Sequence, residues 1–394
     1  MRTRRRRRYD VVFYTPWIGS ILGAGESLPP GGAETQILLL SRELVTKGLR
    51  VAIIAFGTSA ELPSDVDGVT VVPRQAYVKR DRIVGKLAEA FQVWRALWRA
   101  PSHAVVYRAA GIELGLIAVY TRLARRRLVY SSANVVDFEF AKLRPKRRDL
   151  WLYELGVRLA NAIVVQTEEQ IELCRTKFGR QPHLIKSLAP LAELQHETPD
   201  AFLWVGRLVS YKRPLEYVAL ARALPEARFW MVGVPTPHHD DDRLVIEAVM
   251  AAGEEVANLD LLPPRPHTEI EELMLRAVAS VNTADFEGMP NVLLEAWSRG
   301  VPALVLTHDP GGVVSAHQLG GFAEGSAERL VVLANEQWES RHDRSALAKR
   351  CRRYIVEHHA PEAVAERWLG VLSLSREADG VPRSAREVEF VCAE

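Results

Sequence analysis

A chain of 394 residues, 48% hydrophobic and 25% charged, is long enough for two or three domains with separate cores and has the balance of a soluble globular protein. Its three cysteines, Cys174, Cys351 and Cys392, lie far apart without paired spacing, which argues against a disulfide framework or a zinc site and fits a reducing cytoplasm. The net charge of +2 hides an asymmetry: residues 1–200 carry 31 Lys and Arg against 20 Asp and Glu, and residues 201–394 carry 20 against 29, so the first half suits an anionic partner.

No run of 18 apolar residues occurs, so no membrane-spanning helix is expected. Residues 1–8 read as a flexible arginine tail. Basic residues ahead of an apolar stretch look like a signal peptide, but Asp10 and Pro16 interrupt the stretch, and "DVVFY" (10–14) reads better as a buried first strand. A Gly- and Pro-rich loop, 15–33, closes on Gly31 and Gly32. It opens a helix from Glu34 to Lys47, with Ile37, Leu40 and Leu44 at helical spacing. "LRVAIIAF" (49–56) is the next strand. Strand, glycine loop, helix, strand is the βαβ unit that begins a parallel, doubly wound sheet. The glycines let N–H groups at the helix start approach a bound group closely.

"VTVVP" (69–73) is another strand, followed by an amphipathic helix over 79–100. Ile83, Leu87, Phe91, Trp94 and Trp98 share one face, ringed by Lys79, Arg80, Arg82, Lys86, Arg95 and Arg99. Such a helix either lies on an anionic membrane surface or packs its aromatic face onto the sheet. A doubly wound sheet requires a covering helix here, so packing is the expectation. Strands at 104–110, 127–133 and 162–167 alternate with helices in 111–124 and 142–160. The loop "SSANVVDFE" after Tyr130 lies at the C-terminal end of a strand, where open α/β sheets place their chemistry. Asn134 and Asp137 are its polar candidates, and Asp137 reads equally as a helix N-cap.

Residues 182–200, with three prolines and no periodicity, read as a linker. A second series follows. Strands at 201–206, 227–233, 259–263, 277–282 and 301–306 alternate with helices at 213–224, 241–252, 267–276 and 291–299, which predicts a second parallel sheet. "HHDDDR" (238–243) is expected to be a solvated turn and helix start. Helices at 326–334, 343–357 and 361–376 end the chain, and the last residues look loosely structured.

The stretch "DFEGMPNVLLEAWSRG" (285–300) joins the strand 277–282 to a helix. Eight residues separate Glu287 from Glu295, close to two helical turns, so both carboxylates can face the same way beside a helix N-terminus. Such a pair suits a ligand rich in hydroxyls that also carries phosphate; surface glutamates at chance spacing are the alternative.

Three stretches resemble retaining family 4 glycosyltransferases: "VGRLVSYKRP" (205–214) their Gly-Arg…Lys segment, "EGMPNVLLEAWSRGVPALV" (287–305) their E-x7-E motif, and "PPGGAETQILLLSRELVTKGLRVAIIAF" (29–56) their N-terminal glycine loop. The resemblance implies the GT-B architecture, two tandem Rossmann-like doubly wound α/β domains with a C-terminal helical segment. The expected bounds are 1–190 on the acceptor side, 191–360 for the donor, and 361–394 packing back toward the first.

It also implies that a sugar passes from a nucleoside diphosphate sugar, a UDP- or GDP-sugar, to a carbohydrate or lipid-linked acceptor with retention at the anomeric carbon. Arg207 and Lys212 would pair with the diphosphate, next to Gly206. Glu295 would accept from the ribose, and Glu287 would hold the donor sugar. Gly288, Met289, Pro290, Asn291 and Val292 would lie near the phosphates, Pro263 and Pro264 near the base, the "HDPGGV" loop (308–313) beside the donor, and Gly31 and Gly32 facing it. Cationic side chains would stand in for a metal, so no metal or other cofactor is expected. Many members carry a histidine in the loop matching 131–137, and this chain has none. Asn134 or Asp137 must serve there, or the role is absent. A nucleotide-sugar epimerase of the same architecture and a donor-binding partner subunit without activity stay open. The arginine tail lacks interleaved aromatics, so nucleic acid is not the expected partner. The basic first half fits a cytoplasmic protein in peripheral contact with an anionic membrane.

Overall fold

In the computed structural model the described residues are 8–22, 31–75, 83–139, 146–192, 194, 198–236, 240–376 and 382–384. Most of the arginine tail, the N-terminal part of helix 79–100, the start of the helix expected at 142–160, and most of the chain beyond 376 lie outside them.

The chain divides into two compact units. One holds the residues up to Leu188 together with those from Pro361 on, and the other is Ala189–Ala360. The first unit contains β1 (Tyr9–Tyr14), β2 (Val51–Phe56), β3 (Asp65–Val66), β4 (Val69–Arg74), β5 (Ser102–Arg108), β6 (Arg127–Ser131), β7 (Ala162–Val165) and β8 (His183–Leu184). Their order in the sheet is β3-β4-β2-β1-β5-β6-β7-β8, parallel except for the β3 edge. Alternate residues of β1 feed two cores, Val11 and Phe13 on one face and Val12 and Tyr14 on the other. Strands covered on both faces need continuous apolar runs rather than alternation, which is how "VVFY" and "VAIIAF" read.

The second unit contains β9 (Ala201–Leu208), β10 (Phe229–Pro235), β11 (Leu259–Leu262), β12 (Ala277–Asn282), β13 (Ala303–Val305) and β14 (Gly320–Phe322), all parallel in the order β11-β10-β9-β12-β13-β14. This is the doubly wound order, with its reversal between β9 and β12. The two predicted α/β sheets are both present.

Several expectations change, the strands β3 and β14 being additions to those predicted. The helix Glu168–Phe178 was not anticipated; Thr167 and Gln170 form a capping box at its start and Gly179, at φ 62, ends it. β8 falls inside the segment 182–200 that reads as linker, and joins the first sheet. The helix Ile83–Arg99 packs Val93, Ala96 and Leu97 inward, with Trp94 half-buried against the same core, while Phe91 is 62% and Trp98 57% exposed, so the predicted aromatic face packs only in part. Leu374–Arg376 pairs antiparallel with Pro382–Ser384, where loose structure was expected.

Candidate functional site

In the second unit, β9 and β12 lie side by side, yet the chain visits β10 and β11 between them. The connections leaving their C-terminal ends run to opposite sides, which opens a crevice at that point of the sheet. β9 ends with Gly206, Arg207 and Leu208 and runs into a 3-10 turn, Ser210–Lys212. Arg213, left-handed at φ 47, and Pro214 at the first helical position then start the helix Pro214–Ala223. β12 leads through 283–290 into the helix Asn291–Ser298.

Four contacts tie the two connections together. Thr283 Oγ1 donates to the Lys212 carbonyl at 2.7 Å. The Asp285 N–H donates to the Tyr211 carbonyl at 2.9 Å. Tyr211 stacks on Phe286 with ring centroids 5.0 Å apart and planes 10° from parallel. Arg213 Nη1 donates to Asp285 Oδ1 at 3.3 Å. In this frame Lys212 Nζ pairs with Glu287 Oε1, their side chains 19% and 13% exposed. Arg207 Nη2 donates to Tyr211 Oη at 2.9 Å, from the strand next to them. Burial, and after it the Arg207 guanidinium, lower the Lys212 ammonium to about 7. The contacting Glu287 carboxylate is its counter-ion.

Glu295 lies about one turn into the helix Asn291–Ser298. Burial raises its carboxyl, and His267, whose Nε2 stands 3.7 Å from Glu295 Oε1, is the largest opposing influence. His267 opens the helix His267–Leu275 just after "PPRP", so Pro263 and Pro264, both exposed, sit on the segment that leads to a neighbour of Glu295. Gly288, Met289 and Pro290 are buried, whereas Asn291 and Val292 are half-buried. Pro290 at the N-cap offers no side-chain acceptor to the opening N–H groups of that helix. In the 308–313 loop, Asp309 accepts from the N–H groups of Val314 and Ser315 at 2.9 and 3.0 Å and so fixes the turn through Gly311 and Gly312, both left-handed.

Two residues of this site escape the sequence reading. His267 carries no spacing signal. Asp242, from the acidic run expected to be solvated, is buried, and its Oδ1 accepts from Ser210 N–H at 2.9 Å and from Ser210 Oγ at 2.8 Å. It thereby pins the turn that carries Lys212. Residues 238 and 239 of that run lie outside the described residues.

The remaining candidates belong to the first unit. Gly31 is the N-cap of the helix Gly32–Thr46 in an extended conformation, φ −79, open to any residue type. Asp137 lies inside the short helix Val135–Glu139 and is 4% exposed. Its Oδ2 accepts from Ala133 N–H at 2.6 Å, Asn134 N–H at 3.2 Å and Ser132 Oγ at 3.2 Å. Its carboxylate therefore holds the loop 132–137 in shape. Burial raises that carboxyl, and these hydrogen bonds counter the shift. Arg108, at the end of β5, donates to Ser131 Oγ at 3.2 Å and also lies close enough to act on Asp137. No single-residue signal marked it. Among the described residues no group of three or more His, Cys, Asp or Glu is gathered as metal ligands.

No curated protein sequence matches the chain. Residues 31–186 match the family described as glycosyl transferase 4-like domain, and residues 191–368 match glycosyl transferases group 1. The chain is a GT-B glycosyltransferase. Solved structures share the fold of this glycosyltransferase at low identity. Sucrose-phosphate synthase from Thermosynechococcus elongatus is 14% identical with a TM-score of 0.73, over 92% of this chain and 98% of that one. Anabaena HepE in complex with UDP-glucose is 16% identical with a TM-score of 0.70, over 93% and 99%. A glycosyltransferase from Rickettsia africae is 14% identical with a TM-score of 0.68, over 93% and 98%.

Proposed function

We propose that this glycosyltransferase moves a sugar from a nucleoside diphosphate sugar to an acceptor with retention at the anomeric carbon. The observation that carries this reading is the meeting of Arg207, Lys212 and Glu287 where the strand order reverses between β9 and β12. Negative charge grows on the diphosphate as its bond to the sugar breaks. A guanidinium and an ammonium already fixed in a partly desolvated crevice stabilise that charge without reorganising. Lys212 then exchanges Glu287 for a diphosphate oxygen, which releases the Glu287 carboxylate to accept from hydroxyls of the donor sugar. Glu295 accepts from the ribose, Pro263 lies near the base, and the turn of Gly288 to Val292 lies near the phosphates.

The HepE structures with UDP and with UDP-glucose support a nucleotide-sugar donor. In this reading the two side-chain cations supply the positive charge at the diphosphate. Asn134 is the acceptor-side group, held in place by Asp137. The basic first half favours an anionic carbohydrate or lipid-linked acceptor in glycan synthesis. The test is turnover of a panel of UDP- and GDP-sugars. Lys212→Ala should lower kcat about 100-fold with the circular dichroism spectrum unchanged. Near-normal turnover in that variant refutes the assignment. Conversion of the donor sugar without any acceptor would instead identify an epimerase.

A further inference from the structure

A polar cavity of about 350 Å³ lies in the first unit, along one side of the helix Ile83–Arg99. Arg74, Arg95 and Arg99 line it, with Gln75, Gln92 and Thr58. Arg74 is 3% exposed. Its Nη1 donates to Tyr14 Oη at 2.5 Å and its Nη2 pairs with Glu89, but its Nε has no acceptor among the described residues. Glu89 balances Arg74, so the surplus charge of the cavity comes from Arg95 and Arg99. Both are exposed and neither has a carboxylate partner among the described residues.

Helix geometry sets an apolar edge beside this basic one. At about 100° per residue, Phe91 and Trp98 fall within about 20° of each other, and Arg95 lies only about 40° from Phe91. Among the described side chains of this helix Phe91 and Trp98 are large and exposed, and Leu123, which ends the neighbouring helix, is 72% exposed. The helices are joined, since Arg126 Nη1 donates to the Leu97 carbonyl at 3.0 Å and Trp94 Nε1 to the Leu116 carbonyl at 2.9 Å. Guanidinium groups around a cavity suit a phosphate ester. The adjoining edge of Phe91 and Trp98 suits the interface of a bilayer, where an aromatic ring buries its apolar body.

We propose that this cavity binds the phosphate of an anionic lipid headgroup, with Phe91 and Trp98 seated in the bilayer interface beside it. The assignment is independent of the donor reading, since none of its residues belongs to the crevice between β9 and β12. The full chain is sedimented with vesicles of phosphatidylglycerol and phosphatidylcholine mixed, and with phosphatidylcholine alone. Binding should require phosphatidylglycerol and weaken with added salt. Arg95→Gln with Arg99→Gln should weaken it roughly 30-fold. Phe91→Ser with Trp98→Ser should weaken vesicle binding while leaving calorimetric binding of soluble glycerol phosphate unchanged. Equal binding to neutral vesicles, or full binding by the arginine variant, overturns the site. Full vesicle binding by the aromatic variant overturns the seating of Phe91 and Trp98 in the bilayer, and binding of glycerol phosphate by the wild type without vesicle binding overturns the lipid as the source of the phosphate. Unfolding curves that match the wild type exclude a folding defect in either variant.

Discussion

Lys212 carries its charge where the surroundings disfavour charge. Folding brings the ammonium down to about 7 through burial and the Arg207 guanidinium. The buried charge therefore lowers stability in full below about pH 7, and that cost is relieved as pH rises toward the value of an exposed lysine. Donor binding has the opposite dependence, because the diphosphate needs the ammonium. We expect kcat/KM for the donor to fall as pH rises through about 7. Lys212→Arg should flatten that limb, since a guanidinium stays charged throughout. Measuring kcat/KM from pH 5 to 9 decides it; an unchanged alkaline limb in the arginine variant would assign the titration to another group. On the acid side Glu295, raised by burial, is a group whose protonation removes an acceptor.

Among the elements, the turn Ser210–Lys212 depends on a side chain 32 residues away in sequence, Asp242. Asp242→Ala removes an acceptor from a backbone N–H and a hydroxyl and should raise KM for the donor several-fold, with a loss of about 2 kcal/mol in stability. Asp242→Asn, which keeps an acceptor oxygen, should recover most of both. Equal defects in the two variants would show that the negative charge matters rather than the acceptor. This clamp also marks where sequence reading stops. Glu287 and Glu295 share one loop and helix, so their eight-residue spacing is readable from the sequence, whereas their partners Lys212 and His267 are not. Asp242 and His267 come from other elements and meet the site only through the strand order, which no local pattern encodes. Strands such as "VVFY" and "AVASVN" were legible because burial on both faces demands unbroken apolar runs. The helix Ile83–Arg99 misled for a related reason. Its largest apolar residues suggest the packed face, but the sheet takes the stripe of Val93, Ala96, Leu97 and Ala100, spaced for close approach. The helix Glu168–Phe178 was legible in principle, through Thr167 and Gln170.

For the whole molecule, the first unit is completed by the last helix, Pro361–Leu372. Trp368 and Leu372 are buried in the same core as Val11 and Phe13 of β1. Lys47 pairs with Glu366 at 2.6 Å, and Arg127 Nε donates to the Val371 carbonyl at 2.7 Å. Ending the chain at Ala360 strips Val364, Trp368, Leu369, Val371 and Leu372 from that core, on the order of 10 kcal/mol of burial. That rivals the whole stability of a domain. We expect the truncated chain to keep the unfolding transition of the second unit and lose that of the first, as read by calorimetry. Two intact transitions would show that the first unit stands without its final helix.

The hydrogen bond from the Ala189 N–H to the His359 carbonyl, at 2.9 Å, places the entry and exit of the second unit side by side. That unit is thus a loop insertion in the first, closed at its neck. A ribosome must finish the inserted segment before it delivers the helix that seals the earlier one. Residues made first therefore reach their native state last, and a nascent chain stalled within the insertion would display an unsealed apolar sheet to chaperones.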